Sequence, residues 1–394
     1  MRIGILTYHR SLNNGAFIQC YSLYTRLKKE FPSADVEVID YTSPKIEKIY
    51  PLSIIQFFRG YTKPHALISR FKRFLKDPKV INRNKKKQKA FASCYDKLKL
   101  SDRRFYHEPL SVIYDYIEHN YDVVVVGSDA VWNFSLRGFP NPYFLNEILK
   151  VRKMSYAASC YGMNYENITA QEKMAVKKTL DTFSFLGVRD EETAKFLSSV
   201  NCSVSPVHTC DPTVFLDVNE LPIDEKSFKK KLEAAGFSFT RDTIGVMGTN
   251  EMCCIVRSMY GDKYQIVSLF NFCKDADVNL YHITPFEWAY IFRYFKLTFT
   301  TYFHGTLLSL RNGTPVLCVA LEDAYTSKHE SKVEDFLRRV DLSDCYYHMS
   351  FIKDNMELFK GKMNELIGGQ LKEAIIKKMD DEAKSSDLFM NNMY

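Results

Sequence analysis

Along this chain, short runs of aliphatic and β-branched residues alternate with stretches in which apolar side chains return every three or four positions. A period of about two marks a strand and one of about 3.6 marks a helix. The first run is IGILTY; the stretch after it, NNGAFIQCYSLYTRLKKEF, places Phe17, Cys20, Leu23 and Leu27 on one helical face. VEVIDY predicts a second strand. YDVVVVGSD is an unbroken β-branched run, the pattern of a strand covered on both faces in a parallel sheet. KMSYAAS, FLGVRD and VSPVHTCDP continue the series, with helical stretches near residues 169–182 and 190–199. The order is α/β.

Around residues 212–230 the sequence DPTVFLDVNELPIDEKSFKKK turns polar and proline-containing, which predicts a link between domains. Alternation resumes with TIGVMGT, YQIVSLF, DVNLYHI, KLTFTTY and PVLCVA. The expected architecture is two doubly wound, Rossmann-like α/β domains, an N-terminal one over 1–212 and a C-terminal one over 213–350. Residues 351–394 read as an amphipathic helix and a polar tail, MDDEAKSSDLFMNNMY. Ligands of such sheets sit beyond the carboxyl ends of the strands, so a cleft is expected between the two domains.

Composition permits this reading: 394 residues with 46% hydrophobic and 14% aromatic content can bury a sizeable core. The start, MRIGILTYHR, lacks the charged head, long apolar centre and cleavage site of a secretory signal, and no apolar run approaches the roughly 18 residues that span a bilayer. The expected location is the cytoplasm, extending to the inner face of the cell membrane. Ten cysteines and nine histidines show no metal-ligand or redox spacing, so buried reduced thiols and no metal are expected.

The formal charge of +7 is concentrated. From Arg70 to Arg104 there are 14 Lys or Arg against 3 Asp, inside a helical insertion over about 55–105. Such a block suits a solvated helical face, peripheral contact with a membrane, or a nucleic acid. No RNP-like aromatic pattern, zinc finger or helix-turn-helix supports the last of these.

Four predicted strands end in Gly or small polar residues where a helix should begin: LNNGAFIQ, VGSDAVWN, GVRDEE and YFHGTLLS. The free N–H groups and positive end of a helix welcome phosphate or carboxylate. None matches GxGxxG or GxxxxGK[ST], which disfavours a dinucleotide site or a P-loop. Asn13 and Gly15 form either an anion-binding helix start or an ordinary cap. Asp129 is either a general base or, with Ser128, a cap. Trp132 and Tyr156 either stack on sugar or fill the core, and Gly305 either approaches a ligand or packs tightly.

Taken in order, Asn13-x-Gly15-Ala16, Val126-Gly127-Ser128-Asp129-x-Val131-Trp132-Asn133, Ser155-Tyr156-Ala157-Ala158-Ser159, Val188-Arg189-Asp190-Glu191, Asp211-Pro212-Thr213 and Phe303-His304-Gly305-Thr306 resemble the polysaccharide pyruvyl transferase family. The resemblance runs from about residue 4 to about residue 340. It implies a fold like the two-domain GT-B glycosyltransferases and a reaction with phosphoenolpyruvate as donor substrate and no further cofactor. Pyruvate would be added as a ketal across two hydroxyls of a cell-surface polysaccharide, an exopolysaccharide among them, or of its lipid-linked oligosaccharide precursor. The resemblance also points to a catalytic histidine, an arginine and a basic residue opening a later helix, which fall here on His304, Arg189 and Lys332. Asn13, Gly15, Ser128, Asp129 and Gly305 join the substrate-binding candidates.

The sequence departs from the family pattern at Asn14, where many relatives carry an aromatic, at Ala130, where glutamine is usual, and at Lys332, where arginine is common. About eight extra residues within ALEDAYTSKHES separate His304 from Lys332. Lysine keeps the charge but loses the two-point fork of arginine. A trianionic donor calls for cations and helix starts. Proton traffic near neutral pH suits an imidazole with an ordinary pKa of about 6.5, lowered by a helix start and raised by bound phosphate. Arg189 has Asp190 or Glu191 as alternative partners, Lys332 has solvent, and His304 has a structural hydrogen bond. Two competing functions are a GT-B-type nucleotide-sugar glycosyltransferase and a non-catalytic, membrane-associated partner in polysaccharide assembly.

Overall fold

A computed structural model describes residues 1–42, 49–58, 63–76, 79–106, 108–145, 148–321, 326 and 328–393. The β-branched runs become parallel strands of two six-stranded sheets. The first sheet contains β1 (Arg2–Leu6), β2 (Asp35–Val38), β3 (Val123–Val126), β4 (Arg152–Ala158), β5 (Phe185–Val188) and β6 (Pro206–His208), in the order β2-β1-β3-β4-β5-β6. Register is set by one-to-one pairing of Ile3 with Val123 through Leu6 with Val126. All four valines of β3 are buried, as expected for a strand with helices on both faces.

The second sheet contains β7 (Thr243–Met247), β8 (Gln265–Ser268), β9 (Val278–Asn279), β10 (Leu297–Thr300), β11 (Val316–Val319) and β12 (Tyr346–Tyr347), in the order β12-β11-β10-β7-β8-β9. In each sheet the chain starts inside and later returns to the other side of its first strand. The reversal lies between β1 and β3 in one sheet and between β7 and β10 in the other. At such a point adjacent loops diverge and leave a crevice at the carboxyl ends of the strands. This is the doubly wound α/β architecture that the hydrophobic pattern predicts.

Two compact units result, Met1–Leu186 with Val200–Ser205, and Gly187–Ser199 with Pro206–Tyr394. In the second, Val246, Phe299, Leu317 and Phe359 belong to one buried cluster, and Val214, Phe303, Leu307, Phe336 and Met379 to another. The segment read as a link is ordered: Asp211 and Asp224 cap a short turn, Pro212–Phe215, and a helix, Glu225–Ala234. The stretch read as a polar tail is helical over much of its length, through Lys372–Ala383 and Asp387–Asn391, and its Met379, Phe389, Met390 and Met393 are buried. Its polar composition hides an apolar face. The basic insertion contains the helices Ile54–Phe58, Pro64–Lys76 and Val80–Tyr95. No helix among the described residues is long and apolar enough to cross a membrane.

At the end of β3, Gly127 adopts φ +116°, and a Cβ placed there would lie 2.2 Å from the carbonyl oxygen of Tyr156. Both the left-handed backbone and the contact with main chain demand glycine. Gly127→Ala is therefore expected to lower unfolding stability by about 2 kcal/mol or more. A chemical denaturation midpoint equal to that of the unaltered protein would contradict this.

Candidate functional site

Two of the residues singled out in the sequence, Arg189 and His304, meet in the second unit around one buried carboxylate. Arg189 immediately follows β5 and Asp211 lies three residues beyond β6. Arg189 Nη1 is 3.2 Å from Asp211 Oδ2, and His304 Nε2 is 3.7 Å from the same oxygen. The other oxygen, Oδ1, accepts from the backbone N–H and the hydroxyl of Thr213 at 3.0 and 2.7 Å. The side chains of Arg189 and Asp211 are each 1% exposed while that of His304 is 13% exposed, so the imidazole is the member that reaches solvent.

Phe303 organises the cations. Its ring centre lies 5.0 Å from Arg189 Cζ and 5.3 Å from Lys332 Nζ, within cation–π range of both. His304 occupies the first turn of the helix Phe303–Arg311, directly after β10, and Lys332 opens the helix Lys332–Arg339, capped by Ser331. The described structure thus brings together Arg189, His304 and Lys332, from segments far apart in sequence. Gly305 fits the packing alternative: a Cβ there would lie 2.8 Å from Thr300 Oγ1 and 2.9 Å from Met247 Sδ.

Arg189 is not simply offered to solvent. Besides Asp211, its Nε lies 3.7 Å from Asp190 Oδ2, and Asp190 also accepts from Thr193 at the start of the helix Glu191–Ser199. Burial by itself would raise the Asp211 pKa; the neighbouring His304, the Arg189 charge and the Thr213 hydrogen bond outweigh it and hold the carboxyl well below its usual range. Asp211 is consequently ionised at neutral pH. A fixed negative charge beside a partly exposed imidazole can orient the ring.

Asp211 belongs to a motif visible in sequence but was not among the site candidates. Glu192 and His329 were also missed: His329 Nδ1 lies 2.6 Å from Glu192 Oε2, with both side chains buried. A carboxylate in VRDEE and a histidine in the extra segment were the signals, but their 137-residue separation hid the pairing.

The remaining candidates lie in the first unit, where β1 and β3 adjoin. Asn13 caps the helix Asn14–Glu30, its Oδ1 accepting from Gly15 N at 3.0 Å and Ala16 N at 3.4 Å. Ser128 is buried and its carbonyl accepts from Thr7 Oγ1 at 2.9 Å, while Asp129 Oδ1 accepts from Ala130 N at 2.7 Å. Asp129 has φ 86°, a left-handed conformation uncommon outside glycine. Trp132 and Tyr156 are fully buried, and the indole donates to the Tyr143 carbonyl at 3.2 Å. They fill the core and present no stacking surface to a sugar. A constellation absent from the sequence reading lies nearby: Asp40 Oδ1 is 3.0 Å from His9 Nε2, and Asp40 accepts both Nε and Nη2 of Arg10 at 2.8 and 2.5 Å. Burial lowers the His9 pKa despite that carboxylate.

A sequence profile described as Polysaccharide pyruvyl transferase matches residues 13–323. No curated protein sequence gives a significant match. Among solved structures, the chain resembles UDP-GlcNAc 2-epimerase from Neisseria meningitidis bound to UDP-GlcNAc, at 11% identity and a TM-score of 0.52, over 98% of this chain and 99% of that one. A further UDP-N-acetylglucosamine 2-epimerase aligns at 11% identity and a TM-score of 0.51, over 100% of this chain and 96% of that one. At such identities the likeness establishes the fold, a two-domain α/β architecture of the GT-B type.

Asp211 supplies a pH-dependent prediction. Its folded pKa lies below the unfolded value of about 3.9, so its stabilising contribution is present above that pH and is lost as pH falls towards the folded value. Asp211→Asn leaves Arg189 buried without its closest carboxylate and is expected to cost about 3 kcal/mol at pH 7. Relative to the unaltered protein, that deficit should shrink as pH drops below about 4. Urea denaturation at several pH values tests both; a constant deficit across the range would remove the assigned charge.

Proposed function

The chain belongs to the polysaccharide pyruvyl transferase family, and from that premise we propose that it transfers pyruvate from phosphoenolpyruvate to two hydroxyls of one sugar, forming a ketal and releasing phosphate. The acceptor in this reading is a cell-surface polysaccharide or its lipid-linked precursor. The observation that carries the reading is the gathering of His304, Lys332 and Arg189 around Asp211 and Phe303, inside a chain that matches this family over residues 13–323.

The chemistry assigns work to each group. A proton must reach the terminal enol carbon of the donor, which becomes a methyl group. One sugar hydroxyl then attacks the adjacent electron-poor carbon and loses its proton. The second hydroxyl displaces phosphate at that carbon, closing the ketal and releasing another proton. His304, partly exposed and backed by the Asp211 carboxylate, is the proton carrier. Lys332 contributes charge for the donor's phosphate or carboxylate, with Phe303 holding its ammonium in place. Arg189, bound to Asp211, keeps that carboxylate ionised and adds positive potential.

Phosphate release measured with phosphoenolpyruvate and candidate glycans, together with a pyruvate mass gain on the glycan, tests the proposal. His304→Ala should reduce turnover by about 100- to 10,000-fold. Turnover within a few-fold of the unaltered enzyme would remove His304 from the mechanism. Donor identity can be read separately from thermal stability, because a ligand at 100 times its Kd adds about 2.7 kcal/mol. Stabilisation by a nucleotide sugar and not by phosphoenolpyruvate would favour glycosyl transfer instead.

A further inference from the structure

The helix Pro64–Lys76 in the first unit turns a stripe of apolar side chains to the surface. Leu67, Ile68, Phe71 and Leu75, at i, i+1, i+4 and i+8, are 37, 57, 54 and 63% exposed. A helix turns by about 100° per residue, so these four form one stripe. The neighbouring edge ties the helix to the protein. Arg70 is buried, donates from Nε to the Phe57 carbonyl at 2.9 Å and lies 4.0 Å from the Phe57 ring centre. Phe74, on the same edge, meets the rings of Phe57 and Phe58 at 5.5 and 6.2 Å. On the far side of the apolar stripe, His65, Ser69 and Lys72 are exposed. The adjoining helix Ile54–Phe58 adds Ile54 and Ile55, 60 and 80% exposed.

Large apolar side chains gathered on a surface mark a contact with something else. Charge identifies the occupant. The stripe lies within or beside the block that carries 14 Lys or Arg against 3 Asp between Arg70 and Arg104. In the helix Val80–Tyr95, Lys85, Lys86 and Lys89 are exposed. The centre of a protein–protein interface is depleted in lysine, and a nucleic acid gives Leu67, Phe71 and Leu75 nothing to bury against. An apolar stripe beside lysines matches a helix lying in the plane of a negatively charged membrane surface, side chains in the acyl boundary and ammonium groups among the headgroups.

We propose that the Leu67–Ile68–Phe71–Leu75 face of this helix is a docking surface for an anionic lipid bilayer. It attaches the protein peripherally, with the apolar stripe supplying depth and the basic block supplying preference for negative lipids. The assignment goes beyond the transferase reading and stands whether or not phosphoenolpyruvate is the donor. Its residues lie apart from Arg189, His304 and Lys332 in sequence and belong to the other unit.

Co-sedimentation of the full chain with vesicles of phosphatidylcholine alone, or mixed with phosphatidylglycerol, tests the proposal. Binding to the mixed vesicles is expected to exceed binding to neutral ones by about tenfold or more at low salt. The double variant Phe71→Ser/Leu75→Ser, altered only at exposed positions, should lower the partition coefficient about tenfold or more while keeping the same melting transition. Lys72→Glu should weaken binding several-fold and only to the anionic vesicles. Absence of binding to phosphatidylglycerol vesicles would overturn the proposal, as would equal pelleting of the double variant and the unaltered protein. Sedimentation velocity supplies the remaining discriminator: a unit mass unchanged by the double variant supports a lipid surface. A dimer that this variant dissociates would instead assign the face to a second copy of the chain. Phosphate release on a water-soluble acceptor is expected to be unchanged in both variants, so failed vesicle binding and failed pyruvyl transfer remain distinguishable.

Discussion

The second unit is built around a buried ion pair, Arg189 with Asp211. Taking a guanidinium and a carboxylate out of water costs several kcal/mol per ion, and attraction compensates only where the geometry is good and the other polar atoms are satisfied. The local structure reads as a set of answers to that demand. Thr213 occupies one carboxylate oxygen, the His304 imidazole stands near the other, Asp190 supplies a second negative charge to the arginine, and the Phe303 ring covers its face. Removing either Arg189 or Asp211 leaves the other buried without its closest counter-charge. That coupling fixes Asp211 as an anion and gives His304 a stable electrostatic background.

Parallel sheets explain why such groups gather where they do. Strands covered on both faces leave no room for charge along their length, as in the wholly buried valines of β3, so polar chemistry collects where strands end and helices begin. Arg189, Asp211 and His304 follow β5, β6 and β10 within a few residues, and Asn13 and Ser128 follow β1 and β3 in the same way. An imidazole and an ammonium stand at helix starts behind rigid strands, and the proposed reaction would call on both. The chain belongs to a family of polysaccharide pyruvyl transferases by its match over residues 13–323.

The surface helix Pro64–Lys76 obeys the opposite logic. Within the cores the apolar stripes face other apolar residues, and burial stabilises them by about 25 cal/mol per Å². Here the stripe meets solvent, and a buried arginine, Arg70, secures the helix at its edge. That inversion makes sense when the surface has a partner outside the protein.

The order of apolar periodicities alone was enough for the two doubly wound sheets, because strand and helix periods are local properties of the chain. The same locality exposed the helix starts at Asn13 and His304, whereas Asp129, expected to open a helix, forms an isolated bridge with Ala158 and the next helix begins only at Phe134. It could not separate cap from ligand, because Asn13 and Asp129 bond their own turns with the same atoms a substrate would use. The tail was misread because composition is polar while burial depends on spacing: Met379, Phe389, Met390 and Met393 are few but are buried. Partnership was beyond the sequence altogether. Which carboxylate neutralises Arg189, which ring its charge shares with Lys332, and which glutamate holds His329 are set by contacts between segments more than 20 residues apart, and only a folded chain brings those segments within the few ångströms over which charge and hydrogen bonding decide an outcome.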